Sequence, residues 1–170
     1  CELYFDNVKV PIENLIGKEG EGFRIALETL DGGRIGIAAQ ALGIAQASLD
    51  ASISYSKERI QFGKSISTNQ AIQYKIADMA MEIESARLLA YKAAWLKDQK
   101  QSYGQIASMA KVYASEMAMR ASTQCVQIHG GYGYMRESGI ERLMRDAKIT
   151  QIYEGTSEIQ RIVIARKLLQ

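Results

Sequence analysis

Proline occurs once in these 170 residues, at Pro11, and histidine once, at His129. Beyond Pro11, therefore, no stretch is barred from a helix by a missing N–H. The single histidine removes most metal chemistry. A di-iron carboxylate bundle needs Glu-x-x-His pairs on facing helices, and the residue three before His129 is Val126. The two cysteines, Cys1 and Cys125, stand far apart and in no zinc spacing. They make no disulfide scaffold and fit a reducing compartment. Charge of one sign is also scarce: 21 Lys and Arg against 19 Asp and Glu leave +2, evenly mixed along the chain. That excludes a nucleic-acid footprint. Long apolar runs are missing too, because Arg, Lys, Glu or Gln interrupts every candidate membrane span. Nucleophilic triads would need His129 as base, yet it sits in "QIHGGYGY" at an apparent helix end.

What is present is an ordinary globular composition, 47% hydrophobic and 24% charged, in a chain long enough for one buried core. The chain opens on "CELYFDNVKVP" without an initiator Met or signal-peptide character. Leu3, Phe5, Val8 and Val10 predict a short extended segment ended by Pro11. A lone strand is marginal without a sheet, so this start reads as the end of a preceding domain in a longer protein. After the Gly-rich "GKEGEGF", helical patterning takes over. Ile35, Ala38, Leu42, Ala45 and Leu49 recur at three- and four-residue steps. Gly32 and Gly33 either break that helix or soften one long helix starting near Phe23. "FGKSISTNQA" predicts a loop over 62–71, with Thr68 or Asn69 as cap. Ile72, Ile76, Met79, Ile83, Ala86, Ala90, Ala93 and Leu96 form one stripe of a second helix. Ile106, Met109, Tyr113, Met117, Ala121 and Ile128 form that of a third, stopped at Gly130-Gly131. Two shorter helices are predicted over 139–152 and 156–169. The fold class is all-α: an antiparallel up-and-down bundle of three long and two shorter helices, with a short extended N-terminal segment.

Several stretches could carry chemistry, each with an ordinary structural alternative. Glu82 and Glu84 lie two apart on a helix, share no face and read as solvated surface. "HGGYGY" is either a helix C-cap or a nest of backbone N–H groups suited to a pyrophosphate. "ERIQFGK" sets Arg59 and Phe62 at a helix end, suited to a phosphate and a flat ring, or merely an exposed charge and a packing Phe. Asp31 and Arg34 in "DGGR" share a helix face, either as a binding pair or as a weak surface ion pair. In "IYEGTSEI", Thr156 can cap the last helix with Glu158 in its first turn. That leaves Glu154 in the turn between two helices, where a carboxylate can project into a cleft.

Taken in order, "FDNVKVPIENLIG", "DGGRIGIAAQALGIAQ", "ERIQFGK…NQA", "QIHGGYGY" and "RDAKITQIYEGTSEIQR" resemble the C-terminal helical domain of the acyl-CoA dehydrogenases. The likeness covers essentially the whole chain and is nearest the short-chain (butyryl-type) and short/branched-chain members. It implies that residues 1–20 are the tail of a preceding β domain and linker, and 21–170 the bundle. It implies FAD-dependent dehydrogenation of a short or branched acyl-CoA between its α and β carbons. Glu154 of "YEG" would remove the α proton, and hydride would pass from the β carbon to the flavin. Tyr153 and Gly155 would line the thioester pocket, with the Glu154 N–H polarising the thioester carbonyl. Asp31, Gly32, Gly33 and Arg34 would contact the substrate.

The same resemblance divides the flavin contacts by subunit. Arg59, Phe62, Gln70 and the stretch Gln127, Ile128, His129, Gly130 and Gly131 would reach an FAD held mainly by a neighbouring subunit. Thr156, Ser157 and Glu158 would touch the FAD of their own. Certain relatives carry the base at the position matching Gly33, which glycine cannot supply, and this favours Glu154. The implied partners are acyl-CoA, an electron-transferring flavoprotein as electron acceptor, and further copies in a homotetramer or homodimer, with no nucleic acid and no membrane. The implied compartment is the bacterial cytoplasm or the mitochondrial matrix. An acyl-CoA oxidase shares the fold and the base, and a catalytically silent oligomerisation bundle is the alternative for the isolated chain. The chemistry suits a buried acid: desolvation raises a carboxylate toward the operating pH, and fixed donors stabilise the enolate oxygen.

Overall fold

A computed structural model describes residues 2–170, so Cys1 lies outside the described residues. Three long helices dominate: α1 (Gly22–Glu58), α2 (Gln70–Asp98) and α3 (Gly104–His129). A four-residue helix α4 (Gly131–Tyr134) and a 3-10 turn (Arg136–Ser138) lead into α5 (Ile140–Thr150) and α6 (Ser157–Leu168). The predicted bundle is therefore the observed one, with α4 and the 3-10 turn as additions too short to show a period. Gly32 and Gly33 do not break α1, which runs through both as one helix. The apolar positions on either side bury against neighbours, and packing outweighs the propensity cost of two glycines.

Helix α3 is the axis of the molecule, packed against α1, α2, α4, α5 and α6. Its burial explains its composition. Ala107, Ala110, Ala114, Ala118 and Ala121 are almost wholly buried, and the last four meet Ala38, Ala41 and Ala45 of α1 and Ala86 and Ala90 of α2 in one core. Small side chains let helix axes approach closely, and larger residues such as Met79, Ile83, Met117 and Ile128 fill what remains. Ser48, Ser52, Ser115 and Ser122 are also buried, each hydroxyl donating to a carbonyl one turn earlier on its own helix.

Residues 62–71 are not one open loop. A two-stranded antiparallel ribbon pairs β1 (Ile60–Gln61) with β2 (Lys64–Ser65), and a 3-10 turn (Ile66–Thr68) follows. Phe62 (φ 52°) and Gly63 (φ 77°) form the two-residue connection, the positive-φ pair that matches strand twist in a hairpin. Asn69 occupies the N-cap of α2 without a side-chain cap bond. The N-terminal segment forms no strand among the described residues, and Leu3, Tyr4, Phe5, Val8 and Val10 are exposed. Among the described residues the sheet consists of β1 and β2 alone, and this segment does not pair with it. No helix is long and apolar enough to cross a membrane.

Candidate functional site

The turn between α5 and α6 brings the sequence's acidic candidate onto α1. Glu154 (φ 55°) and Gly155 (φ 86°) are both left-handed, a conformation that costs a non-glycine residue about 1 kcal/mol. Their carbonyls are held from α6, where Gln160 Nε2 donates to Glu154 O and to Gly155 O, each at 3.1 Å. The carboxylate then lies against the α-carbon of Gly33: a β-carbon there would sit 2.6 Å from Glu154 Oε2. That oxygen is buried and has no hydrogen-bond partner. Tyr153 also reaches α1, its hydroxyl donating to Gln40 Oε1.

Two cations stand near this carboxylate. Arg34 pairs with Asp31 and donates to Ser108 Oγ at 3.3 Å. Only 6% of Arg34 is exposed, so the alternative of a surface ion pair is discarded, and its Nε is buried without a partner. Asp31 in turn lies beside Gly104, the first residue of α3, where the helix dipole favours an anion. The second cation, Lys111, is fully buried in the middle of α3, and its Nζ donates to Gly155 O at 2.7 Å. Burial lowers its pKa to about 8, helped by the Arg34 charge and opposed by Glu154 and Glu158.

Thr156 is the N-cap of α6, its Oγ1 accepting from the Ile159 N–H at 3.4 Å. Glu158 follows in the first turn; its own backbone N–H and the Thr156 hydroxyl hold its carboxyl below the usual range. Ser157 is buried, its hydroxyl without a partner. One region thus gathers Asp31, Gly33, Arg34, Glu154, Gly155, Ser157 and Glu158, with Gly32 beside Lys97 on the same turn of α1.

The remaining candidates gather at the far end of α1 and α3. A groove of about 600 Å³ is lined by Tyr55, Arg59, Ile128, His129, Gly130, Gly131 and Tyr132, among others. His129 stacks on Tyr55, with ring centroids 4.3 Å apart, and its Nδ1 donates to Cys125 O at 2.8 Å. Arg59 lies over the Tyr132 ring at 5.6 Å, with no ion-pair partner among the described residues. Gly130 (φ 61°) caps α3, and space is open where β-carbons at Gly130 and Gly131 would lie. Phe62 is fully exposed at the hairpin tip, and Gln70 and Gln127 are exposed near their helix ends. The 26 positions of α1 between Gly33 and Arg59 correspond to roughly 40 Å at 1.5 Å per residue.

Sequence reading missed Lys111, Gln160 and Gln40. For Lys111 a signal existed: it is the one charge among Ala107, Ser108, Ala110, Ala114 and Ser115, where no solvated face is available. Gln160 and Gln40 look like ordinary helix-surface glutamines, and only the fold brings them to the turn.

Fold and site together define an all-α bundle with a clamped acid turn at one end and a groove suited to an anion and a flat ring at the other. The chain belongs to the acyl-CoA dehydrogenase family, residues 20–169 matching the model of the acyl-CoA dehydrogenase C-terminal domain. A probable acyl-CoA dehydrogenase of Bacillus subtilis (strain 168), YngJ, is 60% identical over 170 residues, all of this chain and 45% of that protein. The butyryl-CoA dehydrogenase structure from Megasphaera elsdenii superposes with a TM-score of 0.96 at 57% identity, covering 98% of this chain and 43% of that one. A chain from the structural study of the electron transferring flavoprotein of Acidaminococcus fermentans gives a TM-score of 0.95 at 60% identity, over 98% of this chain and 44% of that one. The chain spans less than half the length of these relatives.

Proposed function

We propose that this chain is the C-terminal domain of an FAD-dependent acyl-CoA dehydrogenase acting on short or branched acyl thioesters, with Glu154 as the base. The observation that carries the reading is the Glu154 carboxylate itself: buried, unpartnered at Oε2 and fixed against Gly33 by a left-handed turn. An acid so placed is poised to accept a proton from a ligand and has little else to do. In the reaction the α C–H bond breaks and its proton passes to Glu154, the β hydrogen departs with its electron pair, and a Cα=Cβ double bond forms. The Glu154 N–H donates to no backbone carbonyl among the described residues and is available to the thioester oxygen. Arg34 and Asp31, ordered by α3, contact the CoA portion of the substrate, and Tyr153 and Gly155 wall the acyl-thioester pocket.

FAD, when bound, supplies the two-electron acceptor. The residues fit it in two places. The unpaired Arg59 guanidinium, the Tyr132 and Tyr55 rings and the open edge at Gly130-Gly131 suit a pyrophosphate and an aromatic system. Ser157, with a free buried hydroxyl, and Thr156 stand beside Glu154. Phe62 and Gln70 belong with the first set, and Gln127 to Gly131 complete it. The separation of the two sets along α1 supports a division between subunits of a homotetramer or homodimer. The exposed apolar residues Leu3, Phe5, Val8 and Val10 support residues 1–20 as the end of a preceding domain. An electron-transferring flavoprotein is the proposed redox partner.

In the complete enzyme, Glu154→Gln is expected to lower the dehydrogenation rate by roughly 10²–10⁴-fold, the range of a general base, while the flavin absorbance band is retained. Near-normal turnover in that variant overturns the assignment.

A further inference from the structure

Resting on the reading of Glu154 as the base, we propose that Lys111 is a positioning residue. By donating to the Gly155 carbonyl, its ammonium ties the left-handed Glu154–Gly155 turn to the central helix and keeps the carboxylate on Gly33. Lys111 springs from the middle of α3, in a run where Ala107, Ala110, Ala114 and Ala118 are its buried neighbours. Its side chain is fully buried, yet only one hydrogen bond, to Gly155 O at 2.7 Å, meets its three N–H donors. An ammonium taken out of water with one of its three donors met destabilises the fold. An apolar side chain of the same length would fill the space without that cost.

The geometry says what the charge does there. Two consecutive left-handed residues do not persist on local preference when the first is a glutamate. Gln160 holds both carbonyls from six and five residues downstream, which fixes the turn to α6 alone. Two bonds fix it to the bundle: Tyr153 to Gln40 on α1, just before the left-handed pair, and Lys111 to the carbonyl of Gly155 within that pair, 44 residues away in sequence. Glu154 faces Gly33 on α1, and α1 and α3 pack along their length. Fixing the turn to α3 therefore fixes the carboxylate relative to α1. The charged groups acting on Lys111 come from α1 (Arg34), the turn (Glu154) and α6 (Glu158). With its pKa near 8 it remains largely protonated at neutral pH, so both the donor and the positive charge are present beside the base.

The test uses the complete, flavin-loaded enzyme with Lys111→Met, Lys111→Gln and Lys111→Arg, and Glu154→Gln as the reference. Lys111→Met is expected to lower kcat by about 10- to 100-fold with KM for the acyl-CoA changed less than about threefold, as loss of alignment in the transition state requires. Lys111→Arg should restore kcat to near wild-type. Flavin absorbance and melting temperature report folding in each case.

A Met variant that is folded, flavin-loaded and kinetically normal overturns the proposal while an inactive Glu154→Gln leaves the base assignment standing. If neither Met nor Gln yields folded protein, Lys111 is a core residue and the positioning role is overturned. If Glu154→Gln stays active, the base reading fails and this one with it.

Discussion

A methyl group on Gly33 would stand 2.6 Å from one Glu154 oxygen and 3.1 Å from its carboxyl carbon. Gly33 lies inside α1 with ordinary helical φ, so alanine there gains helix propensity, roughly 0.5–1 kcal/mol. The atoms it would strike are the end of a flexible side chain, which can rotate away. Stability and activity should therefore separate. Gly33→Ala is expected to leave the melting temperature unchanged or slightly raised, and to lower kcat of the complete enzyme by about tenfold or more as the carboxylate is pushed off its position. Parallel thermal melts and turnover assays check this; a kcat equal to wild type would mean that the carboxylate position seen here is not the reactive one. Glu154 was legible as a residue in a turn. Its distance from Gly33 was not, because no local pattern encodes which helix a turn will face.

At the scale of elements, the long helices were legible because their apolar stripes are strict: Ile72 to Leu96 on α2 and Ile106 to Ile128 on α3 fall on the buried side. The glycine stop of α3 and the Thr156 cap of α6 were equally legible, since each answers a local backbone need. What stayed hidden were the β1–β2 ribbon and α4, elements of two to four residues. These lack a period and exist through contacts with the larger helices. An exposed Phe62 at a positive φ also defies turn preferences, which favour Asn or Gly there. Lys111 was hidden for another reason: α3 is buried on nearly every side, whereas amphipathic reading assigns each lysine to solvent.

That burial has a thermodynamic signature. Unfolded, Lys111 titrates near 10.5; folded, near 8, so between those values the unfolded chain binds a proton that the folded one does not. Stability must then rise with pH across this window, and at neutral pH the buried charge costs at most about 3 kcal/mol. Urea titrations at pH 7 and pH 10 should show Lys111→Met more stable than wild type at pH 7, with the gap closing toward pH 10. A gap independent of pH would place the ammonium in water rather than in the core. A lysine that destabilises the fold while holding the acid turn is a stability–function trade.

For the whole molecule, the decisive length is that of α1. The acid turn meets it at Gly33 and the groove begins at Tyr55, so the two clusters are separated by roughly 33 Å of one rigid helix. One bound substrate cannot touch both ends. On the proposed reading, the Arg59 end of one subunit completes the flavin site whose base belongs to its neighbour, and this predicts complementation. Enzyme with Glu154→Gln alone lacks the base in every site; enzyme with Arg59→Ala alone lacks the guanidinium in every site. In a mixed assembly, a subunit with an intact Glu154 can receive Arg59 from its Glu154→Gln partner. Each mixed twofold dimer has one repaired site of two, so the isolated doubly tagged dimer should show about half of wild-type activity. Co-expression with two affinity tags, isolation of the doubly tagged species and a turnover assay measure it. If the mixed species is no more active than the mean of the two parents, both clusters serve sites within single subunits, and the long helix must then be bridged by domains that precede this one.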